Sequence, residues 1–197
     1  MLMNRLERAL MNNPVRAGLQ RFVEAPMLLR LGGSLGGGTA LELGCGRGVG
    51  AALIRGEFGA DTVHVFDLDR SMVRRAAGRL GRRRVSASIW VGDAVAIPAP
   101  RATYEAVFDF GILHHLPDWR AALREVARVL RPGGRFYGEE VLRKAILHPV
   151  TRRLLEHPLD DRFDVADLRR GFEDTGFDST IVERCWGTFA FFVAHRR

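Results

Sequence analysis

The sequence has almost no cysteine and almost no lysine. Of its 197 residues only Cys45 and Cys185 are cysteines, too few for a disulfide framework or a zinc knuckle, so a reducing, cytoplasmic setting is the expectation. Lys144 is the sole lysine among 30 basic residues, the other 29 being arginines. That skew carries no functional weight by itself. Long apolar runs are missing too: the longest strongly apolar stretch, Thr188 to Ala194, is far short of the roughly 20 residues that a spanning helix needs. Arg5, Glu7 and Arg8 interrupt the N-terminus before any signal-like segment. Eight prolines against 22 glycines exclude a collagen-like repeat. Internal repeats and low-complexity linkers are absent, apart from the glycine-rich residues 32–38.

What is present is a globular composition, 47% hydrophobic and 27% charged, with enough chain for one domain and a real core. The formal charge is +7, and one stretch supplies all of it. Arg70, Arg74, Arg75, Arg79, Arg82, Arg83 and Arg84 lie together without an acid, and the remaining chain balances at 23 basic and 23 acidic residues. A nucleic-acid footprint would therefore depend on where the fold puts this stretch. Read as a helix, it puts Arg79 and Arg82 to Arg84 at its far end, behind any site at the carboxyl ends of the strands. There they complement the negative end of the helix dipole.

Hydrophobic periodicity divides the chain into a helical arm (1–31), a glycine-rich connector (32–38) and a main domain (39–197). In the arm, Leu2, Leu6 and Leu10 recur at one-turn spacing, Asn12-Asn13-Pro14 stops and restarts the helix, and Val15, Leu19, Phe22 and Val23 continue an apolar stripe until Pro26. The arm either packs on the domain edge or forms a lid over a pocket. Beyond the connector, strand and helix patterns alternate. Strands are expected at 39–43, 62–66, 85–91, 104–110 and 135–139, with helices at 48–57, 71–80, 119–130 and 164–174. The closely spaced stretches 179–185 and 188–194 must pair antiparallel, since a parallel crossover needs a dozen or more residues. The expectation is an α/β fold: a doubly wound, Rossmann-like, mostly parallel sheet of seven strands with an antiparallel C-terminal hairpin and helices on both faces.

In such a sheet a ligand sits beyond the carboxyl ends of the strands. The first strand ends in Glu42-Leu43-Gly44-Cys45-Gly46-Arg47-Gly48, whose glycines let the backbone turn tightly and approach a ligand. The next helix offers free N–H groups there. Asp67 ends the second strand, 25 residues after Glu42, where a carboxylate can accept from both hydroxyls of a ribose. Gly92-Asp93-Ala94 follows the third strand, Gly111 to Leu116 with the pair His114-His115 follows the fourth, and Arg131-Pro132-Gly133-Gly134 precedes the fifth. Gly46-Arg47-Gly48-Val49-Gly50-Ala51 also fits a dinucleotide fingerprint. A dinucleotide site, however, places its first glycine directly after the strand, and that register would require glycine or alanine at Val49.

With these motifs in this order, residues 39–138 resemble the class I S-adenosylmethionine-dependent methyltransferases, on the small-molecule branch typified by the ubiquinone and menaquinone C-methyltransferases. The resemblance implies S-adenosylmethionine as cofactor and S-adenosylhomocysteine as product. It lays Gly44, Cys45 and Gly46 along the methionine part, with Gly48 completing the loop, and gives the amino group to Glu42. The ribose goes to Asp67, the surroundings of the adenine to Leu68 and Met72, and the adenine edge to Asp93 and the Ala94 N–H. The Phe110 backbone would border the methionyl end. Tyr104-Glu105 departs from the family's usual Phe-Asp, a change that keeps size and charge.

A general base is needed only where the acceptor must lose a proton. His115 is the candidate, on the loop where the acceptor should lie and with an ordinary pKa of about 6.5; the other reading is that the His pair only shapes that loop. Tyr137, Glu139 and Glu140 end the fifth strand as a solvated rim, or else Glu139 or Glu140 orients a polar acceptor. No metal site is expected at the His pair, and Cys45 reads as a small space-filler. Phe22, Met27, Ile146-Leu147 and Leu154-Leu155 could line an apolar acceptor pocket. The expected partner is thus a small-molecule methyl acceptor. An RNA methyltransferase and a cofactor-binding protein without catalysis are the alternatives. Against RNA, no binding module is appended and no Asn/Asp-Pro-Pro-aromatic motif follows the fourth strand.

Overall fold

The computed structural model describes residues 13–149, 151 and 160–197. The helix expected around Leu2, Leu6 and Leu10, and Leu154-Leu155, lie outside the described residues. Seven strands form one sheet: β1 (Thr39–Leu43), β2 (Thr62–Asp67), β3 (Ser88–Val91), β4 (Tyr104–Phe110), β5 (Leu130–Val141), β6 (Phe177–Arg184) and β7 (Phe189–Arg196). Their order is β3-β2-β1-β4-β5-β7-β6. The first five run parallel, and β7 lies antiparallel between β5 and β6. The expected doubly wound sheet with its hairpin is the observed one. Strand β5 begins earlier than expected, because Arg131 to Gly134 is a bulge within it and not a separating turn. Tyr104 pairs with Leu130, and Ala106 next pairs with Arg135.

Central strands covered on both faces should be almost wholly apolar. In β1, Ala40 to Leu43 are all buried. One face is covered by α5 (Trp119–Val129) and α7 (Val165–Asp174). Helix α5 starts where the Asp118 carboxylate accepts from the Ala121 N–H at 2.8 Å, satisfying an otherwise orphan donor. It buries Trp119, Ala122, Leu123, Val126 and Val129, the stripe that the period of 3.6 demands. The opposite face carries α3 (Val49–Gly56) and α4 (Arg70–Arg82), and α6 (Arg143–Ile146) follows β5. Buried side chains separate into two clusters, one on each face of the sheet.

The arm departs from expectation. Helix α1 (Pro14–Leu19) runs into a π-helical turn (Gln20–Glu24) and on through α2 (Ala25–Gly32), so Pro26 does not stop it. Pro26 sits in the first turn of α2, directly after the π-helical turn, and that wider turn accommodates its missing N–H and the change of register. The apolar stripe also faces the other way. Val15 and Phe22 are 71% and 75% exposed, and Leu19 and Val23 are nearly half exposed. The inward positions belong instead to Arg16, Ala17, Gln20 and Glu24.

Candidate functional site

Adjacent β1 and β4 mark the point where the chain, having wound outward to β3, returns across the sheet. The carboxyl ends of these two strands coincide, Leu43 pairing with Asp109, and a crevice opens above such a reversal. It holds a cavity of about 590 Å³, within the range of small-molecule sites. Four strand ends and the arm line it. Of the residues singled out in the sequence, Glu42, Gly44, Cys45, Gly46, Asp67, Leu68, Asp93, Ala94, Phe110 and His115 all reach the cavity wall. Gly48, Met72 and Glu139 do not. Met72 is fully buried in α4, while Gly48 turns its open side toward Leu80.

The loop after β1 is bound to its neighbours through backbone groups. Cys45 N–H donates to Phe66 O at 2.8 Å, and Asp67 accepts from Gly46 N–H at 3.0 Å and Asp69 N–H at 2.9 Å. One carboxylate thus fixes the ends of β1 and β2 relative to each other. Gly44 has φ +65°, and a Cβ there would lie 2.2 Å from Ile112 Cδ1, so this turn admits only glycine.

Glu42 is the anomaly of β1. It is 2% exposed, it accepts from the Ala51 N–H of α3, and its Oε2 has no hydrogen-bond partner among the described residues. A Cβ on Gly50 would stand 2.0 Å from Glu42 Oε1; glycine there leaves room for the carboxyl group. Burial, and then the nearby charge of Asp67, hold the Glu42 carboxyl well above its ordinary pKa. The Ala51 N–H serves one oxygen, and the other lacks a cation or donor among the described residues. Burial and the same two carboxylates push the Cys45 thiol up as well, which leaves it inert as a nucleophile.

His115 stands on a 3₁₀ turn (Leu113–His115) that is fixed from two sides. The Glu140 carboxylate accepts from Leu113 N–H at 2.6 Å and His114 N–H at 3.2 Å, and lies 2.6 Å from His114 Nδ1. Asp109 accepts from Ile112 N–H at 2.7 Å. From across the turn, the Arg162 guanidinium donates to His114 O and to Leu116 O. Burial pushes Glu140 up to about 8, and burial with the charge of Glu140 holds Asp109 well above the usual carboxylate range. Tyr137, Glu139 and Glu140 are thus no solvated rim: each is buried. The Tyr137 hydroxyl donates to the carbonyls of Gly32 and Gly33, both at 3.0 Å.

Sequence reasoning missed several of these groups. Asp109, an acid inside the apolar run of β4, was a visible signal. Arg162 lies 46 residues beyond Leu116, with nothing local to announce it. In the arm, Arg16 lines the cavity and pairs with both Glu24 and Glu139. The expected apolar lining from Phe22, Met27, Ile146 and Leu147 is absent. Phe22 and Leu147 are exposed, Ile146 is buried elsewhere, and Met27 packs into the core. Ala17, Ile112, Leu116, Pro117 and Leu68 line the cavity instead. The arginine stretch needs a partial correction too. Gly48 lets α4 pack against the loop through Leu80 and Ala76, which brings Arg79 beside Arg47 in the cavity wall. Of the seven arginines, Arg79 alone lines it.

The methyltransferase domain family matches residues 40–134. A probable S-adenosylmethionine-dependent methyltransferase of Mycolicibacterium smegmatis is 36% identical over 161 residues, covering 81% of this chain and 58% of that protein. A ubiquinone/menaquinone biosynthesis C-methyltransferase of Caulobacter vibrioides is 40% identical over 95 residues, 47% of this chain and 34% of that protein. This chain spans about half the length of the curated relatives it matches. In fold it is similar to an S-adenosylmethionine-dependent methyltransferase from Mesorhizobium loti, with a TM-score of 0.76 at 20% identity, over 91% of this chain and 100% of that one.

Proposed function

We propose that this chain, whose residues 40–134 match the methyltransferase domain family, transfers a methyl group from S-adenosylmethionine to a small, apolar or aromatic molecule. The observation that carries the reading is the unpartnered Oε2 of Glu42 in the same cavity as Asp67 and Asp93. A ligand with an ammonium group at one end and a ribose at the other would complete both: Glu42 takes the ammonium and Asp67 the ribose hydroxyls. Leu68, Asp93 and Ala94 receive the adenine, Gly44 to Gly46 leave room for the methionyl backbone, and the Phe110 carbonyl borders its end. Gly48 and Met72 support the loop and the adenine wall from behind.

When bound, S-adenosylmethionine supplies a methyl group activated by a cationic sulfur. What the chain supplies is position and dryness. The arm residues Asn13, Pro14, Ala17 and Gln20 cover the cleft as a lid. Their lining, with Ile112, Leu116 and Pro117, suits an acceptor with apolar surface. His115 reaches the cavity from a turn held by Glu140, Asp109 and Arg162, so its ring is pre-set to take a proton from a hydroxyl or enol acceptor. Glu139 acts through Arg16. Among curated relatives, the name of one from M. smegmatis, a fatty-acid O-methyltransferase 33% identical over 126 residues, agrees with an apolar acceptor.

The test is incubation with methyl-labelled S-adenosylmethionine and a panel of phenols, quinols and fatty acids. Label should enter an organic-extractable product. Label entering RNA and none of the panel would overturn the choice of substrate class.

A further inference from the structure

Among its described residues, the arm crosses the cavity without burying an apolar side chain there. No residue of α1 is buried, the π-helical turn buries only Glu24, and Val15, Leu19, Phe22 and Val23 face solvent. Helix α2 differs: Ala25 and Leu28 are buried, and Gly32 packs against Tyr137 and Val193. Apolar burial, the usual adhesive between a helix and its domain, therefore begins at Ala25. The strongest described tie between α1 and the strand ends is electrostatic. Arg16 pairs with Glu24 on the arm and, through Nη2, with Glu139 Oε2 at 3.1 Å on β5, with Phe110 O at 3.4 Å. Side-chain exposures of 13%, 8% and 6% leave Arg16, Glu24 and Glu139 little water. A second tie, Arg21 to Glu57 at 3.6 Å, is about half exposed and so contributes little.

We propose that Arg16 is a positioning residue for the acceptor side of the cavity: clasped between Glu24 and Glu139, it holds α1 shut over the cleft. The arm pivots at the π-helical turn and Pro26, where the helical hydrogen bonding already changes register. Closure places Asn13, Pro14, Ala17 and Gln20 along the cavity; with the clasp open they are withdrawn from it.

The clasp is linked to a proton. Burial, and then the charge of Glu139, raise Glu24 from 4.5 to about 8 against the opposing pull of Arg16; among the described residues these are the two charged groups that face it. With the arm open, Glu24 returns to water and to the ordinary value. Closing therefore takes up a proton between these two pH values. Each unit rise within that window weakens closure by up to about tenfold, and above it the weakening levels off.

The inference rests on the cofactor reading only where closure is followed through a ligand, so one of its two readouts uses none. The first is dissociation of S-adenosylhomocysteine from the full chain. The second is amide exchange of residues 15–24 without ligand, expressed as protection factors, and both are followed from acid to alkaline pH. In the wild type, dissociation should accelerate and protection fall as pH rises, levelling near the upper value. Glu24→Gln, which keeps the shape of the neutral acid, should stay slow to release ligand, protected and flat. Arg16→Gln should release ligand about tenfold faster at acid pH without loss of thermal stability. Flat wild-type protection, or a Glu24→Gln protein that keeps the wild-type slope, overturns the clasp. Absence of S-adenosylhomocysteine binding alongside intact pH-dependent protection refutes the cofactor reading and leaves the clasp standing.

Discussion

Glu42→Gln separates a binding acid from a structural one, because its two consequences have opposite signs. The substitution keeps the shape of a side chain that is 2% exposed and preserves an oxygen for the Ala51 N–H. It removes the charge that would meet the ammonium of the cofactor. A hydrogen bond to a charged group contributes about 1.5–3 kcal/mol, so S-adenosylhomocysteine should bind roughly 10- to 150-fold more weakly. Stability should move the other way. Burial holds the folded-state pKa of Glu42 above its ordinary value of 4.5, so the folded protein binds an extra proton. The wild type therefore loses stability as pH rises above that ordinary value, by up to about 1.4 kcal/mol per unit, until the folded-state pKa is passed. The glutamine variant has no such group and should be as stable as the wild type or more so, with a flatter pH profile. Isothermal titration with S-adenosylhomocysteine and urea unfolding at two pH values measure both effects. Unchanged affinity would remove Glu42 from the cofactor site, and a parallel fall in affinity and stability would make it a structural residue.

Gly50→Ala drives a methyl group to within 2.0 Å of Glu42 Oε1 and 2.8 Å of Phe110 Cδ2. Calorimetry should show at least tenfold weaker binding, and wild-type affinity would mean that Glu42 can move aside freely. Asp67→Ala should cost about 1–3 kcal/mol of binding as a charge-assisted pair is lost; an unaltered dissociation constant would place the ribose elsewhere. Glu140→Ala strands the N–H groups of Leu113 and His114 that its carboxylate accepts. Urea unfolding should show a loss of about 1–3 kcal/mol, and a neutral result would leave Arg162 as the sufficient support of the turn.

The sheet was legible because its signals are local and repeated. Apolar runs such as Thr39–Leu43 end in glycine or acid, and the stripe of α5 keeps one period throughout. The strand-end residues were legible for the same reason: a doubly wound sheet delivers every strand end to one crevice. The arm was misread because its periodicity is real but inverted. An apolar stripe normally faces the core, and here Arg16 and Glu24 hold the inward side while Val15 and Phe22 face water. Pro26 misled because a π-helical turn, which no composition signals, carries the helix into it. The supports of the His turn come from distant segments, Glu140 from β5 and Arg162 from beyond α6, and such convergence exists only in the folded chain. Arg79 reaches the cavity because Gly48 opposite it has no side chain.

The crevice above β1 and β4 is, we propose, built for S-adenosylmethionine. Isothermal titration of the wild-type chain with S-adenosylhomocysteine tests it most directly. Micromolar binding at one site per chain is the predicted result, and no heat of binding at millimolar ligand would contradict it.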